Sequence, residues 1–335
     1  MKKPGSYNLI RKSVWAMTGY VPGEQPRSCK VIKLNTNENP YPPSPRVKEV
    51  LAKFDVEQLG LYPDPVCHDL RETIAEYHNV DIDRILVGNG SDEILALCIR
   101  AFVERDGSVG YYDPSYSLYP VLARIEDVAV KPVRLGSDFE WNMPEDYETS
   151  LFFLTNPNAP TSLLYPREEV RAFCGRFRGV VVIDEAYVDF SREHCLDFVR
   201  EFDNVIVART LSKSFSLAGI RLGYAVGPVA LIEALHKIKD SYNVGRLAQE
   251  LGLAALLDVK HMEGNVERIK ITRAAMTAEL SRRGIEMFPS ETNFLWVKPA
   301  GREAGELFER LREDGIFVRY FPGELTGAYL RITVG

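Results

Sequence analysis

Between about positions 45 and 227, short apolar runs alternate with segments of helical period. Residues 85–87, 109–112, 128–133, 151–154, 180–183, 205–208 and 223–226 read as strands. Residues 91–103, a segment beginning near Ser115, and residues 167–177 read as helices. Strands that are apolar at successive positions must be covered on both faces. The pattern therefore predicts an α/β unit, a mostly parallel sheet sandwiched by helices. After Gly227 the pattern changes: residues 229–240, 246–258 and 261–283 are helical, the last long enough to bridge domains. A strand at 293–297, a helix at 304–314 and strands at 316–320 and 329–333 then predict a smaller α+β unit. The first 40 or so positions are proline-bearing and without period. The expected division is an N-terminal arm (1–40) packing with the small domain, a large domain (41–240) and a small domain (241–335). Gly335 follows directly on a strand whose edge would ordinarily be covered, which predicts a further C-terminal helix.

Composition narrows the function classes. The 335 residues are 45% hydrophobic, enough for a sizeable core, and carry a net charge of −6, which disfavours nucleic-acid and anionic-membrane partners. The basic Met1-Lys2-Lys3 is followed by no apolar stretch, so no signal peptide is read, and no run is long enough to span a bilayer. Cys29, Cys67, Cys98, Cys174 and Cys195 form no Cys-x-x-Cys pair, and the five histidines form no His-Glu-x-x-His. A reduced, cytoplasmic protein without a bound metal is expected.

The candidate chemistry lies at strand ends, where open α/β sheets bind ligands. Lys213 stands among hydroxyl residues in Thr210-Leu211-Ser212-Lys213-Ser214, with Arg221 eight positions on. Such an amine can hold an aldehyde cofactor as a Schiff base, while Thr210, Ser212 and Arg221 hold a phosphate. Asp184 ends an apolar strand and can keep a pyridine nitrogen protonated; Tyr187, three residues on, can meet a ring hydroxyl. Pyridoxal phosphate needs both a lysine and such a carboxylate. Gly88-Asn89-Gly90-Ser91-Asp92-Glu93 opens a helix and offers backbone N–H groups to a phosphate, or simply caps the helix through Ser91. Tyr116 can lie on a ring or sit in the core, and Thr155-Asn156-Pro157-Asn158-Ala159-Pro160-Thr161-Ser162 presents amides or makes only a rigid turn. Taken singly, Asp184 is as well explained as a helix cap and Lys213 as a solvated lysine. Five such signals in order favour the cofactor.

With Asn158-Ala159-Pro160-Thr161, Asp184-Glu185-Ala186-Tyr187 and Ser212-Lys213 through Arg221, the chain resembles the class II aminotransferases of fold type I. Leu34-Asn35-Thr36-Asn37-Glu38-Asn39-Pro40, Glu291-Thr292-Asn293-Phe294 and Leu330-Arg331-Ile332-Thr333 make it most similar to the histidinol-phosphate aminotransferase branch. The resemblance spans essentially the whole chain. It implies pyridoxal 5′-phosphate, met by the backbone of Gly90, Ser91 and Asp92 with Thr210, Ser212 and Arg221, under Tyr116, with Asp184 on the ring nitrogen and Asn158 and Tyr187 toward the ring hydroxyl. It further implies a homodimer in which Tyr62 reaches the partner's phosphate. Tyr20, Asn37, Arg319 and Arg331 would bind the substrates. Where the family often has Asn-Asn-Pro-Thr-Gly, this chain has Ala159 and Ser162, so the ring-hydroxyl contact is lost or falls to Asn158 or Tyr187.

The expected reaction is amino transfer between L-histidinol phosphate and 2-oxoglutarate. An aromatic amino acid aminotransferase differs by a few pocket side chains. A threonine-phosphate decarboxylase shares the frame and also reads a phosphate. A transcriptional regulator built on such a frame would need a DNA-binding module, for which the residues before Leu34 are too few.

Overall fold

The protein was analysed as a computed structural model that describes residues 9–26 and 31–335; Cys29 and the basic Met1-Lys2-Lys3 lie outside them. In chain order the elements are α1 (Lys12–Ala16), β1 (Ile32–Lys33), α2 (Pro45–Lys53), α3 (His68–His78), β2 (Ile85–Gly88), α4 (Ser91–Phe102), β3 (Ser108–Asp113), α5 (Tyr119–Glu126), β4 (Ala129–Arg134), β5 (Leu151–Thr155), α6 (Arg167–Arg176) and β6 (Val180–Asp184). There follow α7 (Phe198–Glu201), β7 (Val205–Thr210), β8 (Gly223–Val226), α8 (Val229–Ile238), α9 (Arg246–Leu256), α10 (Val259–Arg282), β9 (Glu286–Met287), β10 (Phe294–Lys298), α11 (Ala304–Glu313), β11 (Ile316–Phe317), β12 (Arg319–Tyr320) and β13 (Leu330–Thr333).

Seven strands form the main sheet in the order β2-β8-β7-β6-β5-β3-β4. The pairs from β7 through β4 are parallel, and only β8 runs against its neighbours. The β-branched and aromatic strands Val180–Asp184 and Leu151–Thr155 are buried along nearly their whole length. Alternate side chains feed two cores. Phe152, Leu154, Val181, Ile183, Val205 and Val207 pack on one side, and Leu151, Phe153, Val182, Ile206 and Ala208 on the other. The register sets Thr155 beside Asp184, and Asp184 beside Ala208, so the carboxyl ends of three strands meet at one edge. Gly223, the first residue of β8, pairs with both Gly88 and Thr210, which brings Arg221 to that edge too.

The second sheet has the order β12-β13-β10-β9 and is antiparallel throughout. The segment 316–320, expected as one strand, is two. Ile316–Phe317 pairs in parallel with Ile32–Lys33, while Arg319–Tyr320 pairs with β13. Val318 between them is buried, so the direction of pairing changes there. Nor is the N-terminal region wholly irregular: it contributes α1 and β1. The helix expected near Ser115 begins at Tyr119, because the Ser115 hydroxyl is bonded to Thr155 and Asn158 instead; Pro120 suits the first turn. Among the described residues no helix is long and apolar enough to cross a membrane.

Candidate active site

A cavity of about 260 Å³ opens at the shared strand edge, roofed by residues 20–25 and by Arg319, Phe321 and Arg331 from the second sheet. Of the residues singled out from sequence, Tyr20, Asn37, Ser91, Asp92, Tyr116, Asp184, Tyr187, Thr210, Ser212, Lys213, Arg221, Arg319 and Arg331 all line it.

Asp184 forms its floor and is 3% exposed. One carboxyl oxygen accepts the Ala186 N–H at 3.2 Å, which is the turn-capping role; the other accepts the Tyr119 hydroxyl at 2.9 Å. Burial in the sheet raises the carboxyl pKa to about 6, against the lowering by Tyr119 and the Ala186 amide. A buried carboxylate with no cationic side chain bonded to it suits a cationic ligand nitrogen. Glu185 points elsewhere, into a buried ion pair with Arg209 at 2.7 Å, and also accepts the Cys195 N–H.

Lys213 lies in coil, not on a solvated helix, and is shielded except toward the cavity. Its Nζ donates to the Thr36 carbonyl at 3.2 Å. Burial first, and then the positive charge of Arg331, lower its pKa to about 8, while Asp92 and Glu38 oppose them. An amine in that range is available as a nucleophile near neutrality. Asn39 donates to the carbonyls of Lys213 and Ser214 at 3.1 and 3.0 Å and fixes this segment.

The first turn of α4 faces the cavity without a side-chain cap: Gly90 occupies the cap position with φ +81°, and Ser91 is already helical. Ser91 therefore does not cap the helix, and Glu93 instead accepts the Asn89 N–H and an Asn243 amide hydrogen. A Cβ at Gly90 would sit 2.8 Å from an Arg221 nitrogen, so the arginine lies directly over the helix start. Arg221 reaches Asp92 at 3.2 Å. The Thr210 and Ser212 hydroxyls are bonded to each other at 2.9 Å beside them. Uncapped amides, a guanidinium and two hydroxyls are a phosphate-binding donor set.

Tyr187 is buried, and its hydroxyl accepts an Asn37 amide hydrogen at 2.9 Å. Tyr116 donates to Asp92 at 3.1 Å and meets Tyr20 edge-on, ring centres 6.0 Å apart. Arg331 donates to the Asn35 carbonyl at 3.0 Å, while its buried Nε has no hydrogen-bond partner among the described residues. Arg319 lines the cavity, but two of its nitrogens donate to the Val21 and Pro22 carbonyls at 2.7 and 3.1 Å, so it also fastens the arm.

One expectation for the site is corrected. The Asn158 side chain does not line the cavity: its amide hydrogens go to the Pro114 carbonyl and Thr161, and its oxygen accepts from Ser115. Of the two residues expected to take over the ring-hydroxyl contact beside Ala159, only Tyr187 lines the cavity. Tyr62 is 77% exposed, stacks on Tyr242 with ring centres 4.4 Å apart, and is outside this cavity. Tyr119, Thr155 and Thr36 were not singled out from sequence. Tyr119 stood in the segment already marked at Tyr116, but only the fold shows that its hydroxyl reaches Asp184.

The "Aminotransferase class I and II" family model matches residues 29–335. A histidinol-phosphate aminotransferase of Geobacter sp. strain M21 is 45% identical over 328 residues, 97% of this chain and 94% of its own. The histidinol-phosphate aminotransferase of Sinorhizobium meliloti, solved with pyridoxal-5′-phosphate, superposes with TM-score 0.86 at 23% identity, covering 99% of this chain and 94% of its own. The L-threonine-O-3-phosphate decarboxylase of Porphyromonas gingivalis reaches TM-score 0.78 at 22% identity, covering 91% and 94%. At those identities the two solved structures attest a shared fold and do not discriminate between reactions.

Proposed function

The chain belongs to the class I and II aminotransferase family, and from that premise we propose that it transfers an amino group between L-histidinol phosphate and 2-oxoglutarate, using pyridoxal phosphate. One observation carries the reading: a single cavity presents a shielded Lys213, a buried Asp184 carboxyl and the fork of Arg331. The choice of substrate is supported by the 45% identity to a histidinol-phosphate aminotransferase along nearly the full chain.

The residues fit the cofactor. Arg221, Thr210, Ser212 and the amides of Ser91 and Asp92 would hold its phosphate, Asp184 its ring nitrogen, Tyr187 its ring hydroxyl, and Lys213 its aldehyde; Tyr116 would flank the ring. When bound, pyridoxal phosphate supplies a protonated ring that draws electrons from the substrate's Cα. The chain's own part is binding and proton transfer. The Lys213 Nζ, as the free amine, would take up the proton leaving the substrate's Cα, a task suited to an amine of lowered pKa. Asp184, held from two sides, stabilises positive charge at the ring nitrogen. Asn37 orients the Tyr187 hydroxyl. Arg331, with Arg319, binds the anion at the far end of each substrate: phosphate in one half-reaction, carboxylate in the other. Histidinol phosphate has no α-carboxylate, so its phosphate must be the anchor. Residues 20–25 exclude water from above, with Tyr20 as a wall.

The same reading makes the enzyme a cytoplasmic homodimer, with Tyr62 reaching the partner's cofactor phosphate. Its support is the exposed apolar run Val56, Leu59, Leu61 and Tyr62, 59–77% exposed, a surface that association would cover. For the domains, residues 1–40 act as an arm on the small domain (241–335), beside the large domain (41–240); the β1–β11 pairing supports this.

Arg331→Ala tests the anchor. Loss of a buried charge-assisted contact should lower kcat/KM in both half-reactions by about a hundredfold. An effect on the glutamate half alone would move the phosphate anchor elsewhere.

A further inference from the structure

From Asp184 runs a line of three hydroxyls on two segments of the chain, of which Thr155 and Ser115 also line the cavity. The Tyr119 hydroxyl lies 2.9 Å from Asp184 Oδ2 and within hydrogen-bond distance of Thr155 Oγ1. Thr155 Oγ1 lies 3.0 Å from Ser115 Oγ, which lies 2.9 Å from Asn158 Oδ1. Tyr119 and Thr155 are buried, and Tyr119 is fixed by stacking on Phe153, ring centres 4.6 Å apart.

The far end of the line has a set polarity. Asn158 Nδ2 lies 3.2 Å from the Pro114 carbonyl, which can only accept, so Asn158 must present its oxygen to Ser115. Ser115 therefore donates to Asn158, and its single hydrogen is used. Four contacts link Asn158, Ser115, Thr155, Tyr119 and Asp184, but the three hydroxyls own only three hydrogens. If Asp184 is a carboxylate, one contact has no hydrogen. If Asp184 is the acid, all four are satisfied in one direction, Asp184 to Tyr119 to Thr155 to Ser115 to Asn158.

We propose that Tyr119, Thr155 and Ser115 are positioning residues that couple the protonation of Asp184 to the direction of this hydroxyl line. Tyr119 donates to the carboxylate and accepts from the acid, and Ser115, tied to Asn158, biases the line toward the acid. The other charged or titratable groups acting on Asp184 are Asp92 at the start of α4 and Glu185, itself paired with Arg209, with Tyr187 on the same turn. The line thus gives Asp184 two bonded states, one for an empty pocket and one for a cationic ring. That last consequence rests on Asp184 facing the cofactor nitrogen; the hydrogen count does not.

The count makes two substitutions act in opposite directions. In Ser115→Ala, Thr155 is free to donate to Tyr119 and Tyr119 to Asp184, so the carboxylate is favoured and the titration midpoint falls. In Tyr119→Phe the carboxylate loses its hydroxyl donor at Oδ2 and keeps only the Ala186 N–H at Oδ1, so the midpoint rises by about one pH unit or more. The measurement is an infrared pH titration of the full chain freed of cofactor, following the protonated-carboxyl band that Asp184→Asn abolishes. Opposite shifts support the line. A shift in the same direction for both variants, or no fall in Ser115→Ala, overturns it. If Tyr119→Phe does not fold, Ser115→Ala alone decides by the same criterion. The pH dependence of pyridoxal phosphate affinity, read by protein fluorescence, separates the two claims. Affinity that follows the shifted midpoints supports both. Affinity that ignores them leaves the line intact and overturns Asp184 as the partner of the ring nitrogen.

Discussion

Lys213 is a residue whose sequence neighbours reveal its class but not its environment. Hydroxyl neighbours and a following arginine mark it as a candidate nucleophile. What lowers its pKa to about 8 is burial together with Arg331, a residue 118 positions later. Because the free amine is the reactive form, the rate of cofactor attachment should rise with pH through a midpoint near 8. Replacing Arg331 by Gln removes a positive charge that disfavours protonation, so the midpoint should move up. Stopped-flow absorbance checks both, and a wild-type midpoint at the ordinary lysine value would contradict the environment described. Asn158 shows the opposite case. An amide in a proline-rich turn at a strand end reads as a ligand contact, yet three partners within the loops take its hydrogen-bonding groups. Nothing in a linear pattern distinguishes an amide that faces a ligand from one that ties two loops together.

At the scale of elements, the ends of β6 and β7 are locked by Glu185 and Arg209, the immediate sequence neighbours of Asp184 and Thr210. Arg209 donates through Nε at 2.9 Å and approaches through Nη2 at 2.7 Å, with both side chains almost wholly buried. Removing one partner leaves a buried unpaired charge, so Arg209→Ala should cost about 3–5 kcal/mol in denaturant unfolding. Replacing both by apolar residues, Glu185→Leu with Arg209→Met, leaves no unpaired charge and should cost less, its remaining cost being about that of the Cys195 N–H that Glu185 also satisfies; a double variant as costly as Arg209→Ala plus that lost contact would show that the pair's charges are not what matters. The long strands β3, β5, β6 and β7 were legible because each is a contiguous apolar run buried on both faces. The two-residue strand β1 was not, since its pairing with β11 joins positions nearly 300 residues apart and leaves no local period. The break at Val318 was hidden for the same reason: 316–320 reads as one strand in sequence and forms two pairings in space.

At the scale of the whole molecule, the cavity belongs to no single element. The main sheet contributes Asp184, Thr210 and the start of α4; the second sheet contributes Arg319 and Arg331; residues 20–25 close the top. Arg319 ties those parts together by binding the Val21 and Pro22 carbonyls, and Arg312 adds an ion pair to Glu24 at 2.8 Å. Both are half-exposed and worth little to global stability, so their effect is local, on the cover of the cavity. The α/β class and the cavity's floor, with Asp184, Lys213 and Arg221, followed from strand-end motifs, because a parallel sheet brings its carboxyl ends to one edge, whereas Tyr20, Asn37, Arg319 and Arg331 followed only from the family resemblance. Residues 9–26 carry no period that points to the second sheet, so the arm's place over the cavity followed only from the family resemblance that put Tyr20 among the substrate residues. The central claim is that this one cavity serves both half-reactions on a phosphate-bearing amine. The most direct measurement is the absorption spectrum of the cofactor-loaded protein as L-histidinol phosphate is added without any keto acid. The account predicts loss of the lysine-bound cofactor band and its return on adding 2-oxoglutarate. No change with histidinol phosphate, but conversion by phenylalanine or tyrosine, would contradict it and assign the cavity to aromatic substrates.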